Sequence, residues 1–187
     1  MGSLYLGLVH FPIKNKRGEK VVTSVTNLDI HDISRSCKTF GVSQYFLITP
    51  LEAQHDLLSR ILGHWEEDKS GAYNPDRQDA LELARGMNSF EDCVEAIKEK
   101  EGQAPKIIVT GANFEQYNLT CDELSKRISI DNDSVFLLFG TGWGLHASLV
   151  EQADDLLEPI FGHSKNGYNH LSVRSAVAIY LDRIMGK

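Results

Sequence analysis

Glycines at 140, 142 and 144 interrupt the stretch VFLLFGTGWGL, directly after a run of apolar residues. Such glycines let a backbone take φ > 0 and approach a ligand with no Cβ in the way. A second apolar run, around Ile107 to Val109, ends in Thr110-Gly111-Ala112-Asn113. A third polar segment, HSKNGYNHLSVRSA, ends in small residues that allow tight packing or expose backbone amides. Arg174 is the one charge in that small, apolar helix start. Two readings fit the glycine loop: a tight turn, or close contact with a cofactor that is neither a dinucleotide nor a nucleoside triphosphate. GTGWG is not GxGxxG, and no GxxxxGK[ST] occurs. Seven histidines show no HExxH or Cys/His finger spacing, so no metal is expected. No GxSxG elbow is present. Asp154 and Asp155, being adjacent, point apart on a helix and make a poor acid–base pair.

The elements that must position these residues alternate. Residues 4–13 read as a buried strand stopped by Pro12, and VVTSV at 21–25 as a short one. Asn27 or Asp29 can cap a helix to about residue 40, with Gly41 ending it. QYFLITP is the next strand, and residues 51–67 form an amphipathic helix. Residues 68–78 read as a loop. One or two helices follow over 79–100, with Ser89 as a cap. Strands at 105–113 and 135–140 flank a short helix begun by the capping-box pair Thr120 and Glu123. Alternation of this kind predicts an α/β fold, a mainly parallel sheet with helices on both faces. Ligands of such sheets sit beyond the carboxyl ends of the strands, where both glycine-bearing strand ends lie.

The 187 residues suffice for one domain with a real core, and 42% hydrophobic against 24% charged residues exclude wholesale disorder. No apolar run reaches the roughly 20 residues of a membrane span, and the N-terminal charges follow the apolar segment instead of preceding it. Cys37, Cys93 and Cys121 are sparse and odd in number, as expected of reduced thiols in the cytoplasm. A net charge of −7 argues against gripping nucleic acid with the whole surface. The one basic cluster is Lys14, Lys16, Arg17 and Lys20.

The order of these motifs resembles the SPOUT class of RNA methyltransferases, whose C-terminal trefoil knot binds S-adenosylmethionine. DIHDISRSCKTFGV followed by QYFLITP resembles the first family motif, with Arg35 and Phe40-Gly41-Val42 aligned. LLFGTGWGL is similar to its glycine loop, with Trp143 where an acidic residue is usual. EPIFG leading to HLSVRSAVAIYLDR is similar to the third motif through Leu171, Val173 and Ala176. Within the class, the C-terminal portion looks most like the catalytic domain of bacterial tRNA guanine-N1 methyltransferases.

The resemblance implies a single SPOUT domain over 1–187 with the knot at about 105–187. It implies an enzyme using S-adenosylmethionine, released as S-adenosylhomocysteine, to methylate RNA, in particular tRNA, with no metal and no membrane. Three loops would form the cofactor pocket. The first is Thr110, Gly111 and Ala112; the second is Gly140, Thr141, Gly142, Trp143, Gly144 and Leu145. The third runs from Ile160 and Gly162 through Tyr168, Asn169, His170, Leu171, Ser172 and Val173 to Ser175. Ile160 and Leu171 would sandwich the adenine. A homodimer is implied, with Arg35 of one subunit approaching the cofactor of the other. Asp29, His31, Asp32 and His170 are candidates for taking the proton that leaves the RNA nucleophile, and Arg35 and Arg174 for holding phosphate or developing negative charge. The basic cluster at Lys14, Lys16 and Arg17 would hold RNA locally. Other readings of the chain are a non-catalytic cofactor- or RNA-binding module, or a Rossmann-like or flavodoxin-like small-molecule-binding protein.

Overall fold

The computed structural model describes residues 2–66, 74–131 and 133–186. Its centre is a strand with no charged side chain, β1 (Leu4–Val9), all six residues of which are buried. A strand so apolar needs cover on both faces, and it lies inside a six-stranded sheet whose pairings are all parallel. The other members are β4 (Gln44–Ile48), β5 (Ala84–Met87), β6 (Lys106–Val109), β7 (Val135–Gly140) and β8 (Asp155–Leu156), in the order β5-β4-β1-β7-β6-β8. A short antiparallel hairpin, β2 (Ile13–Lys14) and β3 (Lys20–Val21), follows β1.

Alternate residues of each strand feed two cores. Leu4, Leu6, Leu8, Leu137 and Phe139 face one side. There they meet α1 (Asn27–Thr39), α2 (Glu52–Glu66), α3 (Pro75–Leu81), α5 (Cys121–Ile130) and α7 (Val173–Met185). Tyr5, Val9, Phe46, Phe136 and Leu138 face the other side, under α4 (Phe90–Glu101) and the single turn α6 (Ala147–Val150). The helices on both faces and the parallel sheet are those expected from the alternating pattern.

Several local readings differ from the structure. VVTSV is a strand only at Val21. Beyond it the backbone amide of Thr23 donates to His10 O (2.9 Å) and that of Val25 to the Gln54 side chain (2.6 Å), so no ladder continues. Thr26, not Asn27 or Asp29, caps α1. The loop expected over 68–78 lies outside the described residues up to 73, and α3 begins at Pro75 with Asn74 as its cap. Within the expected helical region 79–100 stands an edge strand, β5, whose ARGM sequence has little strand propensity. Its Gly86 is required by packing: an added Cβ would lie 2.6 Å from Nδ1 of His55 on α2.

Candidate active site

The carboxyl ends of β6 and β7 open into a cavity of about 900 Å³. At β6, Thr110 is tied to β7 twice, its amide (3.0 Å) and Oγ1 (2.9 Å) both donating to Leu138 O. Gly111, Ala112 and Asn113 then turn along the cavity wall, with Phe114 beside them.

The second wall is the loop after β7. A Cβ on Gly140 would lie 2.7 Å from the backbone nitrogen of Leu145, so the loop can fold back on its own strand end only with glycine there. Gly142 and Gly144 take φ of 58° and 101°, in the region that L side chains avoid. The hairpin holds the loop from outside. Lys14 N donates to Gly144 O (3.0 Å) and His146 N to Pro12 O (3.2 Å). From below, Thr141 Oγ1 donates to Val9 O (3.1 Å) and lies against the Thr23 hydroxyl.

The third wall is a long excursion between β8 and α7. Its two limbs are joined by one side chain: Asn169 Nδ2 donates to Ile160 O (2.9 Å) and its Oδ1 accepts from Gly162 N (2.9 Å). Ser172 caps α7 by accepting from Ser175 N (3.2 Å). Val173, Ala176 and Tyr180, one stripe of that helix, face the cavity, and Tyr180 OH donates to Glu158 O (2.7 Å).

The first turn of α1 contributes a carboxylate. Asp29 is 8% exposed and lines the cavity. Thr26 Oγ1 donates to its Oδ2 (2.6 Å), so capping the helix also fixes the acid. Arg174 places Nε 3.8 Å from Asp29 Oδ1 and Nη1 3.8 Å from Asp32 Oδ2, linking α7 to α1. Behind this layer His10 is fully buried, its Nδ1 3.0 Å from Thr23 Oγ1. Burial lowers its pKa to about 4, against a smaller upward pull from Asp29, so it is neutral at physiological pH.

The structure thus brings together residues from three expected loops. Thr110, Gly111, Ala112 and all six residues from Gly140 to Leu145 line the cavity. So do Ile160, Asn169, His170, Leu171, Ser172 and Val173. Gly162, Tyr168 and Ser175 do not line it; Tyr168 instead packs against the His170 ring at 5.4 Å. Arg174 stands beside the cavity, holding Asp29. Arg35 is exposed and outside the lining, and His31 and Asp32 line a separate groove. Sequence reasoning missed Thr23 and Ser24, which fall inside the apparent strand VVTSV, Thr26 just after it, and Tyr180. The last was findable, because Val173, Ala176 and Tyr180 share one helical face.

A glycine-bearing cavity at a parallel sheet's carboxyl edge defines an α/β protein that binds a small molecule with backbone groups. The comparisons narrow the class. A family model described as SAM-dependent RNA methyltransferase matches residues 3–186, and the chain belongs to that family. The sequence is 43% identical over 98% of this chain to a protein of Oleidesulfovibrio alaskensis named tRNA (guanine-N(1)-)-methyltransferase, covering 42% of it. A protein of the same name from Nitratidesulfovibrio vulgaris is 41% identical, with 98% and 42% covered. The chain therefore spans about two fifths of the length of these relatives. An uncharacterized Aquifex aeolicus protein is 33% identical over 99% of this chain and 89% of its own length. Among solved structures, the SpoU methyltransferase AviRb from Streptomyces viridochromogenes, in complex with AdoMet, matches 98% of this chain and 57% of its own. Its TM-score is 0.57 at 15% identity. The fold is that of the SPOUT methyltransferases.

Proposed function

We propose that the chain carries the methyl-transferring site of an enzyme acting on tRNA, with N1 of guanosine as the acceptor. The observation that carries this reading is the buried Asp29 carboxylate, set in the wall of a glycine-bearing cavity and braced by Thr26 and Arg174. The names of the relatives from the two desulfovibrio species support the acceptor.

The residues present fit S-adenosylmethionine. Ile160, Leu171 and Val173 offer an apolar slot for adenine, and the loop from Gly140 to Leu145 offers backbone groups unobstructed by Cβ atoms for the polar parts. When bound, the cofactor supplies a methyl group on a sulfonium sulfur, already electrophilic. What this chain's residues add is alignment and proton removal. Asp29 takes the proton from the acceptor nitrogen, and Arg174 steadies the charge that develops on the base. His170, at the cavity mouth, is the second candidate for that proton. Lys14, at the cavity lip, and Lys16, 6.0 Å from the Trp143 ring centroid, hold the RNA backbone beside the opening.

Residues 1–187 act as one SPOUT domain in this reading, with the segment from about 105 closing as a trefoil knot. Its support is that β7 inserts between β1 and β6, and that α7 packs back on α1 and α5. The working form is a homodimer in which the exposed Arg35 of one subunit serves the cavity of the other. Three buried, unpaired cysteines suit a reducing cytoplasm, and among the described residues no helix is long and apolar enough to cross a membrane. Calorimetry with S-adenosylmethionine, followed by mass spectrometry of nucleosides from treated bulk tRNA, tests the reading. Cofactor binding and new 1-methylguanosine are expected. Asp29→Asn should still bind cofactor but yield product about 100-fold more slowly. A wild-type protein that binds no cofactor would overturn the assignment.

A further inference from the structure

On the other side of the first turns of α1 lies a second concavity, of about 590 Å³, within the roughly 300–1,000 Å³ of small-ligand sites. It is walled by Leu28 and His31 of α1, by Arg60 and Trp65 of α2, and by Arg77 of α3. The Arg77 guanidinium lies 5.3 Å from the Trp65 ring centroid, and the His31 ring meets the same indole edge-on at 5.7 Å. Two buried polar atoms here, His31 Nδ1 and Arg77 Nε, have no hydrogen-bond partner among the described residues. Such atoms cost free energy unless something supplies the missing bond. Arg60 is exposed and enters no ion pair among the described residues. Asp32 is the one carboxylate in the described lining, 3.8 Å from Arg174, so two guanidinium groups face one acid in a chain of net charge −7.

We propose that this groove holds a nucleotide of the substrate RNA next to the one that is methylated. The rings of Trp65 and His31 and the plane of Arg77 form a stacking wall for a base, and Arg60 takes the phosphate. Burial, then the Arg77 guanidinium, holds the His31 pKa below the usual histidine value, which favours the uncharged ring for stacking. A nucleotide meets both features of the groove at once, a flat base for its rings and an anionic phosphate for the exposed Arg60. Position adds to the chemistry. Asp29 lines the cavity and Asp32 the groove, one helical turn apart, and Arg174 reaches both. A strand seated in the groove therefore passes directly to the methyl-transfer site.

The inference rests on the RNA-methylating reading, and the test separates the two. Labelled bulk tRNA is titrated by fluorescence anisotropy against wild type, Arg60→Glu and Arg77→Gln, and each protein is also titrated with S-adenosylmethionine by calorimetry. Arg60→Glu should weaken tRNA binding on the order of five-fold and reduce the slope of log affinity against log salt by about 1, with cofactor affinity unchanged. Arg60 is exposed and enters no ion pair among the described residues, so this variant folds even if Arg77→Gln does not. Wild-type binding of tRNA that neither variant alters overturns the groove while leaving the enzymatic reading intact. A change in oligomeric state with unchanged tRNA affinity also overturns it, because the groove then receives protein. Loss of cofactor binding by wild type itself is instead the failure of the enzymatic reading.

Discussion

At Asp29 a helix cap, an ion pair and a cavity wall meet. Thr26 both caps α1 and donates to the carboxylate, and Arg174 reaches it from a helix about 140 residues later in the chain. The sequence singles out Asp29 and Arg174 individually, but nothing local in it could pair them, since only the packing of α7 on α1 brings them together. His10 was unreadable for the same reason: a histidine ending an apolar strand has no periodic signature of a role. Its burial makes a testable contribution to stability. The folded pKa of about 4 lies below the unfolded value near 6.5, so as pH falls the unfolded chain takes up the proton first. Stability is thus full above about pH 6.5 and is lost as pH drops toward about 4. Denaturant unfolding should show a loss of about 2 kcal/mol between about pH 7.5 and pH 5 from this group. His10→Gln should have lower stability at neutral pH but a flatter dependence. An equally steep profile in the variant would assign the effect elsewhere.

Among elements, the excursion from β8 to α7 depends most on a single side chain. Asn169 replaces a strand partner, donating to Ile160 O and accepting from Gly162 N, so the two limbs lie together without a sheet. Each such bond contributes about 1 kcal/mol net. Asn169→Ala should therefore loosen this wall and weaken S-adenosylmethionine binding by roughly 30-fold, the equivalent of about 2 kcal/mol. The urea midpoint should move little, because residues 161–171 are almost all exposed and lie outside both cores. A lower midpoint with unchanged cofactor affinity would show the bridge to be purely structural. Elements with strong local signals were legible: the Thr120–Glu123 capping box, the Ser89 cap and the Val135–Gly140 strand are where the sequence puts them, while the strand expected over 4–13 ends at Val9. Those made by tertiary context were not. The Asp155–Leu156 strand pairs with β6 and is braced by Asn118, which accepts from Leu156 N (2.7 Å) and donates to the Asp155 carboxylate, and β5 pairs with β4 with Gly86 against His55.

For the whole molecule, the layer order was legible because strand and helix patterns alternate cleanly, while the sheet order was not, since parallel strands carry no pairing code in their apolar runs. The proposed dimer makes a specific demand on Arg35, which is exposed and does not line its own cavity. Mixed refolding of Arg35→Ala with Asp29→Asn subunits, each inactive alone, should restore about a quarter of wild-type methylation, because random pairing gives one intact composite site in half the dimers. No recovery would place Arg35 in the service of its own subunit. The position of β7 beside β1 has a further consequence, in time instead of space. The two central strands, Leu4–Val9 and Val135–Gly140, pair residue for residue across some 130 positions. During synthesis the first of them must wait, one flank unpaired, until residues 135–140 have left the ribosome. A nascent chain halted before Val135 would present a bare apolar edge, and it would be a client for chaperones before it could be a ligand-binding protein.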